Sequence, residues 1–356
     1  MKPTSTKKKT KKNLKKRKRK IILIGGLILE FLCLAVICVV IVFNHYYSAS
    51  DYVPDDQVSI DQEVADKFQQ ETIGELGTLE SLVKPDAPIE SITKEEAEGT
   101  YNLLLIGVDV RNIAWHGNSD TMILVTVNHD TKKIYMTSFM RDLYADIPGY
   151  GVQKLNAAHA IGGGPLLTET LMSNYGVVVD NYARVDFSSL TSIIDIVGGV
   201  DIDVDAAEML VANDYIKEMC NLQGKDYEAN KLTQSGMLHL TGIQAVAYCR
   251  IRYVGNADFE RTSRQREVLS ELIKKAKGMG LGQLNSLINE VLPLVTHNVE
   301  QKTVVSLISQ LPSLLSYEFV MGRVPYEGLF VGHEGLLVPN MQATIQKLRE
   351  TLYANE

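Results

Sequence analysis

The chain has 356 residues, 45% hydrophobic and 22% charged, with 36 Lys and Arg against 43 Asp and Glu and a formal net charge of −7. Twelve of the basic residues crowd into the first twenty positions, so the rest of the chain carries 24 basic against 43 acidic residues, a formal −19. That excess argues against nucleic acid as the ligand of the main body, and four cysteines exclude a disulfide-dense scaffold.

Residues 1–20 form a basic tail without a single acid. It reads as a topology determinant that also touches anionic lipid. An apolar run follows at 21–43, interrupted only by Glu30. Twenty-three residues at a helical rise of about 1.5 Å span roughly 35 Å, enough for a bilayer core. The run is too long for the apolar region of a cleaved signal peptide, about 7–15 residues. The expectation is a single transmembrane helix at 21–43, with the tail cytoplasmic and everything after it outside the cell. A carboxyl inside the span is costly, which makes Glu30 a candidate for pairing with a partner helix. Cys33 and Cys38 lie in the run, leaving Cys220 and Cys249 to meet outside. Residues 44–98, rich in Asp, Glu, Ser and Pro, read as an extracytoplasmic acidic stalk with one weakly helical piece around 63–82.

The texture changes at Tyr101. "YNLLLIGVDV", "TMILVTVN" and "KIYMTSFM" are apolar runs of strand length. "KLNAAHAIGGGPLLTETLMSNYG" reads as a helix around a glycine break, "VVVDNYARVDF" as a strand, "SSLTSIIDIVGG" as a helix with a glycine stop and "VDIDV" as a short strand. "TGIQAVAYCR" and "FERTSRQREVLSELIKKAKG" read as helices; two apolar helices, the strand "YEFVMGRVP" and the helix "NMQATIQKLRETLY" close the chain. The expected architecture is one extracytoplasmic α/β domain at 99–356, with a central mixed sheet flanked by helices.

Common catalytic signatures fail. No G-x-S-x-G elbow, HExxH or Walker loop occurs, and "GGGP" at 162–165 lacks the following Lys-Ser/Thr. "SITK" at 91–94 and "SDT" at 119–121 match fragments of a penicillin-binding signature, but lie only about thirty residues apart with no K-T-G after them. The external histidines show no ligand spacing. Acid and arginine remain. Asp109 ends the first strand and Asp120 opens the second, so neighbouring strands would put both carboxylates at one sheet edge. Such a pair suits Mg²⁺ or Mn²⁺, held by one or two carboxylates plus phosphate oxygens; taken singly, each aspartate is equally a turn or cap residue. Arg141 and Asp142 follow the third strand. Five arginines fall within the nineteen residues 248–266. Arg250 and Arg252 would share one side of an extended segment. Asp258 precedes a helix whose first turns carry Arg261, Arg264 and Gln265 on one face. A single arginine is most simply a solvated surface charge. Five together in an acidic domain point to a phosphate or pyrophosphate site, because guanidinium forks match phosphate oxygens and stay charged.

The blocks "NLLLIGVDVR", "NSDTMILVTVN", "FMRDLY", "KLNAAHAIGG", "DIVGGVDIDV", "LTGIQAVAYCRIRY" and "DFERTSRQREVL" occur in the order found in the LytR-CpsA-Psr family, which the chain resembles over about 180 residues. The resemblance implies a metal-dependent phosphotransferase that moves a cell-wall glycopolymer, such as teichoic acid or capsule, from a polyprenyl-pyrophosphate carrier onto peptidoglycan. It implies metal-binding roles for Asp109 and Asp120, and pyrophosphate-binding roles for Arg141, Arg250, Arg252 and Arg261 with Gln265 beside them. Asp258 would support this network. The chain departs from the family at Met140, where proline is common, at Cys249, where an aliphatic residue is usual, and at "DFER" in place of D-F-G-R. In the implied reaction a glycan hydroxyl attacks the sugar-bound phosphorus, and Asp109 or a metal-bound water takes its proton. The segments "LTSIIDIV", "IQAVAY" and "EVLSELI" either line an apolar slot for the lipid or form plain core. Two other readings use the same residues: hydrolysis of the lipid-linked pyrophosphate, with water as acceptor, and a membrane-bound regulator that acts through its basic tail.

Overall fold

The computed structural model describes residues 47–48, 50–70, 76–84, 92–109, 116–255 and 257–354. The tail, the apolar run 21–43 with Glu30, Ser91 and the loop residues 110–115 lie outside these. No helix among the described residues is long and apolar enough to cross a membrane.

The strand β2 (Thr100–Val108) sits at the middle of a seven-stranded sheet. Its neighbours are β3 (Ser119–Asn128), antiparallel, and β7 (Asn181–Asp186), parallel. Beyond β3 come β4 (Lys133–Phe139), antiparallel, and β11 (Glu318–Val324), parallel to β4 at the sheet edge. Beyond β7 lie the two-residue strands β10 (Thr296–His297) and β1 (Asp51–Tyr52). The sheet is therefore mixed, as expected. β2 is apolar on both sides because both faces are covered, so its pattern is a continuous run rather than an alternation. Leu104, Ile106 and Val108 face the cluster built on α3 (Leu155–Tyr175) and α11 (Met341–Leu352). Tyr101 and Leu105 join the opposite cluster, with Leu269 and Ile273 of α8 (Ala257–Lys277).

The glycine break in α3 is real. Gly162 and Gly163 leave helical geometry, Gly163 at φ 62°. The carbonyl of Ile161 at this kink accepts from Asp61 N–H at 2.8 Å. That contact belongs to a correction. Much of the expected stalk is domain: Ser50–Glu356 forms one compact unit. β1 lies in the main sheet, Ala65 of α1 (Gln62–Gln70) is fully buried, and Val83, Ile92 and Ala97 enter the core. Sparse apolar residues in an acidic segment bury one stripe, which composition alone does not reveal.

A second core lies outside the sheet. α4 (Phe187–Val197), the hairpin of β8 (Val200–Val204) and β9 (Gly236–Leu240), α5 (Ala206–Gln223) and α7 (Gly242–Cys249) enclose Ile194, Ile202, Ile216 and Val246. Cys220 and Cys249 are both buried here and unpaired. Smaller pieces complete the unit: the helix α2 (Glu80–Val83), the hairpin β5 (Tyr144–Ile147)–β6 (Gly151–Lys154), α6 (Tyr227–Asn230), α9 (Leu281–Val291), α10 (Gln301–Leu314), and the hairpin β12 (Phe330–His333)–β13 (Leu336–Pro339).

Gly242 sets how closely α7 approaches α4. A Cβ there would overlap the carbonyl oxygen of Thr191, and the Gly242 N–H donates to Asp195 Oδ1 at 2.6 Å. Backbone on one side leaves nothing to move aside. Gly242→Ala is expected to lower stability by roughly 1–3 kcal/mol in denaturant unfolding. A midpoint equal to that of the parent chain would show that the two helices separate freely.

Candidate active site

Because β2 and β3 run antiparallel, Val108 pairs with Ser119 after a register shift at Gly107. Asp109 and Asp120 thus stand at one sheet edge, and Arg141, two residues past β4, comes to the same edge. Met140 is buried, and its N–H donates to Val324 O at 3.0 Å, a bond that the proline expected there from the family resemblance cannot make. Arg250 caps the C-terminus of α7 with helical backbone angles (φ −93°, ψ −10°). The two arginines around buried Ile251 therefore do not lie on one side of an extended segment, as the sequence suggested. A turn after the helix carries Arg252 instead, and both side chains still reach the site. Asp258 and Arg261 occupy the first turns of α8.

Two carboxylates hold three guanidiniums. Asp120 Oδ1 lies 2.9 Å from Arg141 Nη1, 3.4 Å from Arg261 Nη1 and 3.5 Å from Arg252 Nη2. Asp258 lies 3.0 Å from Arg261 Nε, 3.2 Å from Arg141 Nη2 and 3.8 Å from Arg252 Nε. The side chain of Arg261 is only 4% exposed. Burial opposes ionisation of Asp120, but the charges of Arg261, Arg141 and Arg252 together outweigh it and hold its carboxyl below the usual range. Asp258 is lowered against burial in the same way, by Arg261 first. Burial and its two guanidinium neighbours push Arg261 below its ordinary value, whereas the three carboxylates around Arg141 overcome burial and raise it. Asp142 anchors the rear, taking Lys154 Nζ at 2.7 Å and Arg141 Nε at 3.5 Å.

Arg250 is held differently. Its guanidinium lies 4.8 Å from the ring centroids of both Phe187 and Tyr215, 3.2 Å from Glu218 and 4.0 Å from Asp109. Sequence reasoning missed these partners because it passed over α5, which carries Tyr215 and Glu218. The capping box of Asp205 and Glu208 was the readable sign of that helix.

Arg264 is a correction. It points away from the other arginines: its Nε lies 2.7 Å from Glu208 Oε1, and its Nη atoms donate to the carbonyls of Ile251 and Val254, both at 3.2 Å. Buried and bonded through all three of its nitrogens, it fixes the turn that carries Arg252 rather than facing an anion. Three residues along a helix turn it about 60° short of a full circle, enough to separate Arg264 from Arg261, whereas Gln265 at i+4 stays with Arg261.

A cavity of about 510 Å³ opens beside this cluster, within the range of small-molecule sites. Asp109, Asp120, Arg250, Arg252, Arg261 and Gln265 line it at one end. The remainder is largely apolar: Leu105 and Ile123 from the sheet, Ile193 from α4, Val246 from α7, and Val268 and Leu272 from α8. All three segments proposed as an apolar slot contribute to it. The site thus joins a mouth of interleaved guanidiniums and carboxylates to a greasy interior. No group of three or more potential metal ligands occurs among the described residues.

A family model described as the LytR_cpsA_psr family matches residues 69–352. The chain is 32% identical over 232 residues to Biofilm regulatory protein A of Streptococcus mutans, covering 62% of this chain and 54% of that protein. It is 31% identical over 235 residues to the polyisoprenyl-teichoic acid–peptidoglycan teichoic acid transferase TagU of Enterococcus faecalis, covering 64% and 69%. The match to the first of these relatives spans about half of that protein's length. Among solved structures, B. subtilis TagT is 25% identical with a TM-score of 0.54, covering 76% of this chain and 99% of that one. TagT with bound octaprenyl pyrophosphate lipid aligns with a TM-score of 0.52 at 25% identity, covering 75% and 98%.

Breaking the inner pair tests the division of labour among the arginines. Glu208→Gln leaves the Arg264 guanidinium buried without its carboxylate, and should cost roughly 3–5 kcal/mol in urea unfolding. An unchanged unfolding midpoint would return Arg264 to the list of anion-binding candidates.

Proposed function

Because the chain belongs to the LytR_cpsA_psr family, we propose that it is a membrane-anchored phosphotransferase that moves an anionic glycopolymer from a polyprenyl-pyrophosphate carrier onto peptidoglycan. The observation that carries this reading is the joined site: an apolar cavity with three guanidiniums among carboxylates at one end. A polyprenyl pyrophosphate has the complementary shape, a hydrocarbon chain ending in a multiply charged head. The relatives support it, one named a teichoic acid transferase and another carrying bound octaprenyl pyrophosphate. The apolar run 21–43 would anchor the chain, with the basic tail in the cytoplasm and the domain outside.

The lipid occupies the apolar interior and presents its pyrophosphate to the mouth. Arg252 and Arg261 bridge to it from the carboxylates that orient them, while Arg250 approaches from the end of α7, held beside the rings of Phe187 and Tyr215. Gln265 adds a neutral donor. Arg141 does not line the cavity; it braces Asp120 and Asp258 from behind. A glycan hydroxyl attacks the sugar-linked phosphorus. An oxygen–phosphorus bond forms, the bond between the two phosphates breaks, and polyprenyl phosphate departs with its charge neutralised by the guanidiniums. Asp120, kept ionised by three arginines, is a poor proton acceptor, so we assign the hydroxyl proton to Asp109. Asp109 and Asp120 share the sheet edge and fit a hard divalent cation that arrives with pyrophosphate oxygens, since the arginines repel a bare cation. Bound there, Mg²⁺ or Mn²⁺ would supply further neutralisation of phosphate charge.

Arg250→Lys keeps the charge but loses the planar fork and its stacking between Phe187 and Tyr215. This change and Arg252→Lys are each expected to weaken binding of lipid pyrophosphate by about tenfold or more, at roughly 1.5–3 kcal/mol per charge-assisted bond. Wild-type affinity in the double Lys variant would reduce the cluster to surface charge.

Calorimetry with Mn²⁺ and inorganic pyrophosphate tests the metal. Asp109→Ala and Asp120→Ala should each abolish metal-dependent tightening of pyrophosphate binding while the fold persists. Equal tightening in both variants and the parent chain would remove the cation from these residues.

A further inference from the structure

The proposed reaction leaves one buried imidazole unused. His159, in the first half of α3, is fully buried and does not line the cavity. Its Nδ1 lies 2.8 Å from the carbonyl oxygen of Gly117. A carbonyl only accepts, so Nδ1 carries the proton and Nε2 is left as a lone pair. Nε2 is buried with no hydrogen-bond partner among the described residues. Burial pushes the ring's pKa down to about 3, against the opposing pull of that carbonyl, so the imidazole is neutral at physiological pH. It is a fixed donor, not a proton carrier.

The carbonyl it holds lies three residues before Asp120. In the β2–β3 ladder Val108 pairs with Ser119 and Gly107 with Thr121, so Asp120 is the extra residue of a bulge. A bulge re-aims its side chain, and no residue of the neighbouring strand stands opposite to fix its direction. The arm before the bulge is braced from elsewhere. His159 takes the Gly117 carbonyl, and His116 on the same arm donates from Nε2 to the Ser59 carbonyl at 2.8 Å. The two imidazoles meet edge to face, with centroids 6.4 Å apart. Earlier in the same helix, Asn156 N–H donates to the Arg141 carbonyl at 3.3 Å and Leu155 N–H to the Leu143 carbonyl at 2.8 Å. The start of α3 is thus tied to Arg141 directly and to Asp120 through the arm that leads to it, and these two form the 2.9 Å ion pair of the site. We propose that His159 is a positioning residue, whose bond to Gly117 sets the bulge so that Asp120 meets Arg141, Arg252 and Arg261. The consequence for pyrophosphate rests on the function proposed above; the clamp on the bulge does not.

The test uses the full chain in detergent micelles. His159→Asn keeps an N–H donor near the Nδ1 position, whereas His159→Leu fills the space with hydrocarbon and donates nothing. A role in core packing alone favours Leu; a positioning role favours Asn. Calorimetry with inorganic pyrophosphate should show about tenfold weaker binding in His159→Leu, with most of that loss restored in His159→Asn. Hydrogen exchange of the peptide 116–122 should quicken in the Leu variant and stay near the parent rate in the Asn variant. Parent-like affinity in the Leu variant, or an Asn variant no better than Leu, would overturn the proposal. Nitrogen NMR of the parent chain covers a Leu variant that does not fold: His159 should show a protonated Nδ1 and a bare Nε2 at neutral pH, and the opposite tautomer would equally overturn the clamp. If the parent binds no pyrophosphate while exchange at 116–122 still follows the donor, the function proposed above falls and the clamp stands.

Discussion

Asp120 and Asp258 each engage the same three guanidiniums, and the site depends on that shared network. Asp120 and Asp258 fix the directions of Arg141, Arg252 and Arg261, yet neutralise only part of their charge. Asp142 adds a third carboxylate 3.5 Å from Arg141, so the guanidiniums are held by a matched set of acids inside a domain that is strongly acidic. The cluster is also assembled from four separate places: the start of β3, the end of β4, the turn after α7 and the first turns of α8. None of these can shift without loosening the others. Such pre-orientation lets the donors meet an anion without first reorganising, which is where electrostatic binding in a partly buried site gains most.

The cavity follows from how the two cores meet. α3 and α11 cover one face of the sheet closely. The other face receives α8 and, at a distance, α4 and α7, which belong to a core of their own around the β8–β9 hairpin. The space left between that core and the sheet is the apolar chamber. Close packing is the rule for protein interiors, so a chamber of this size walled by Leu, Ile and Val is an open space of the kind the proposed lipid would fill. Gly242, by drawing α7 against α4, helps set where that wall stands. Cys249 lies on the wall with its thiol pushed up to about 12 by burial, an inert packing group.

Most of the framework was legible in the sequence because strands covered on both faces and helices ending in glycine leave strong local patterns. The convergence of Asp109, Asp120, Arg141, Arg252, Asp258 and Arg261 was legible as composition: arginines gathered in an acidic chain. What stayed hidden depended on tertiary partners. Arg264 looks like Arg261 in sequence, and only Glu208, fifty-six residues earlier, takes it out of the site. Tyr215, Phe187 and Glu218 look like ordinary helix residues until Arg250 lies between them. The segment 50–98 looked like a stalk because its charges dominate its composition, whereas its few apolar residues decide where it goes.

That segment alters how the domain would work on its anchor. β1 holds the chain in the main sheet from residue 51, and Asp61 ties the following stretch to the kink of α3. With residues 21–43 as the anchor proposed above, only six residues, 44–49, lie between it and the compact unit, a leash of at most about 20 Å even when fully extended. A long random coil would leave the domain free to range away from its anchor. For the anchored transferase proposed above, so short a link would make encounter with a lipid carrier a two-dimensional problem, and the acceptor strand would be the reactant that must come within reach.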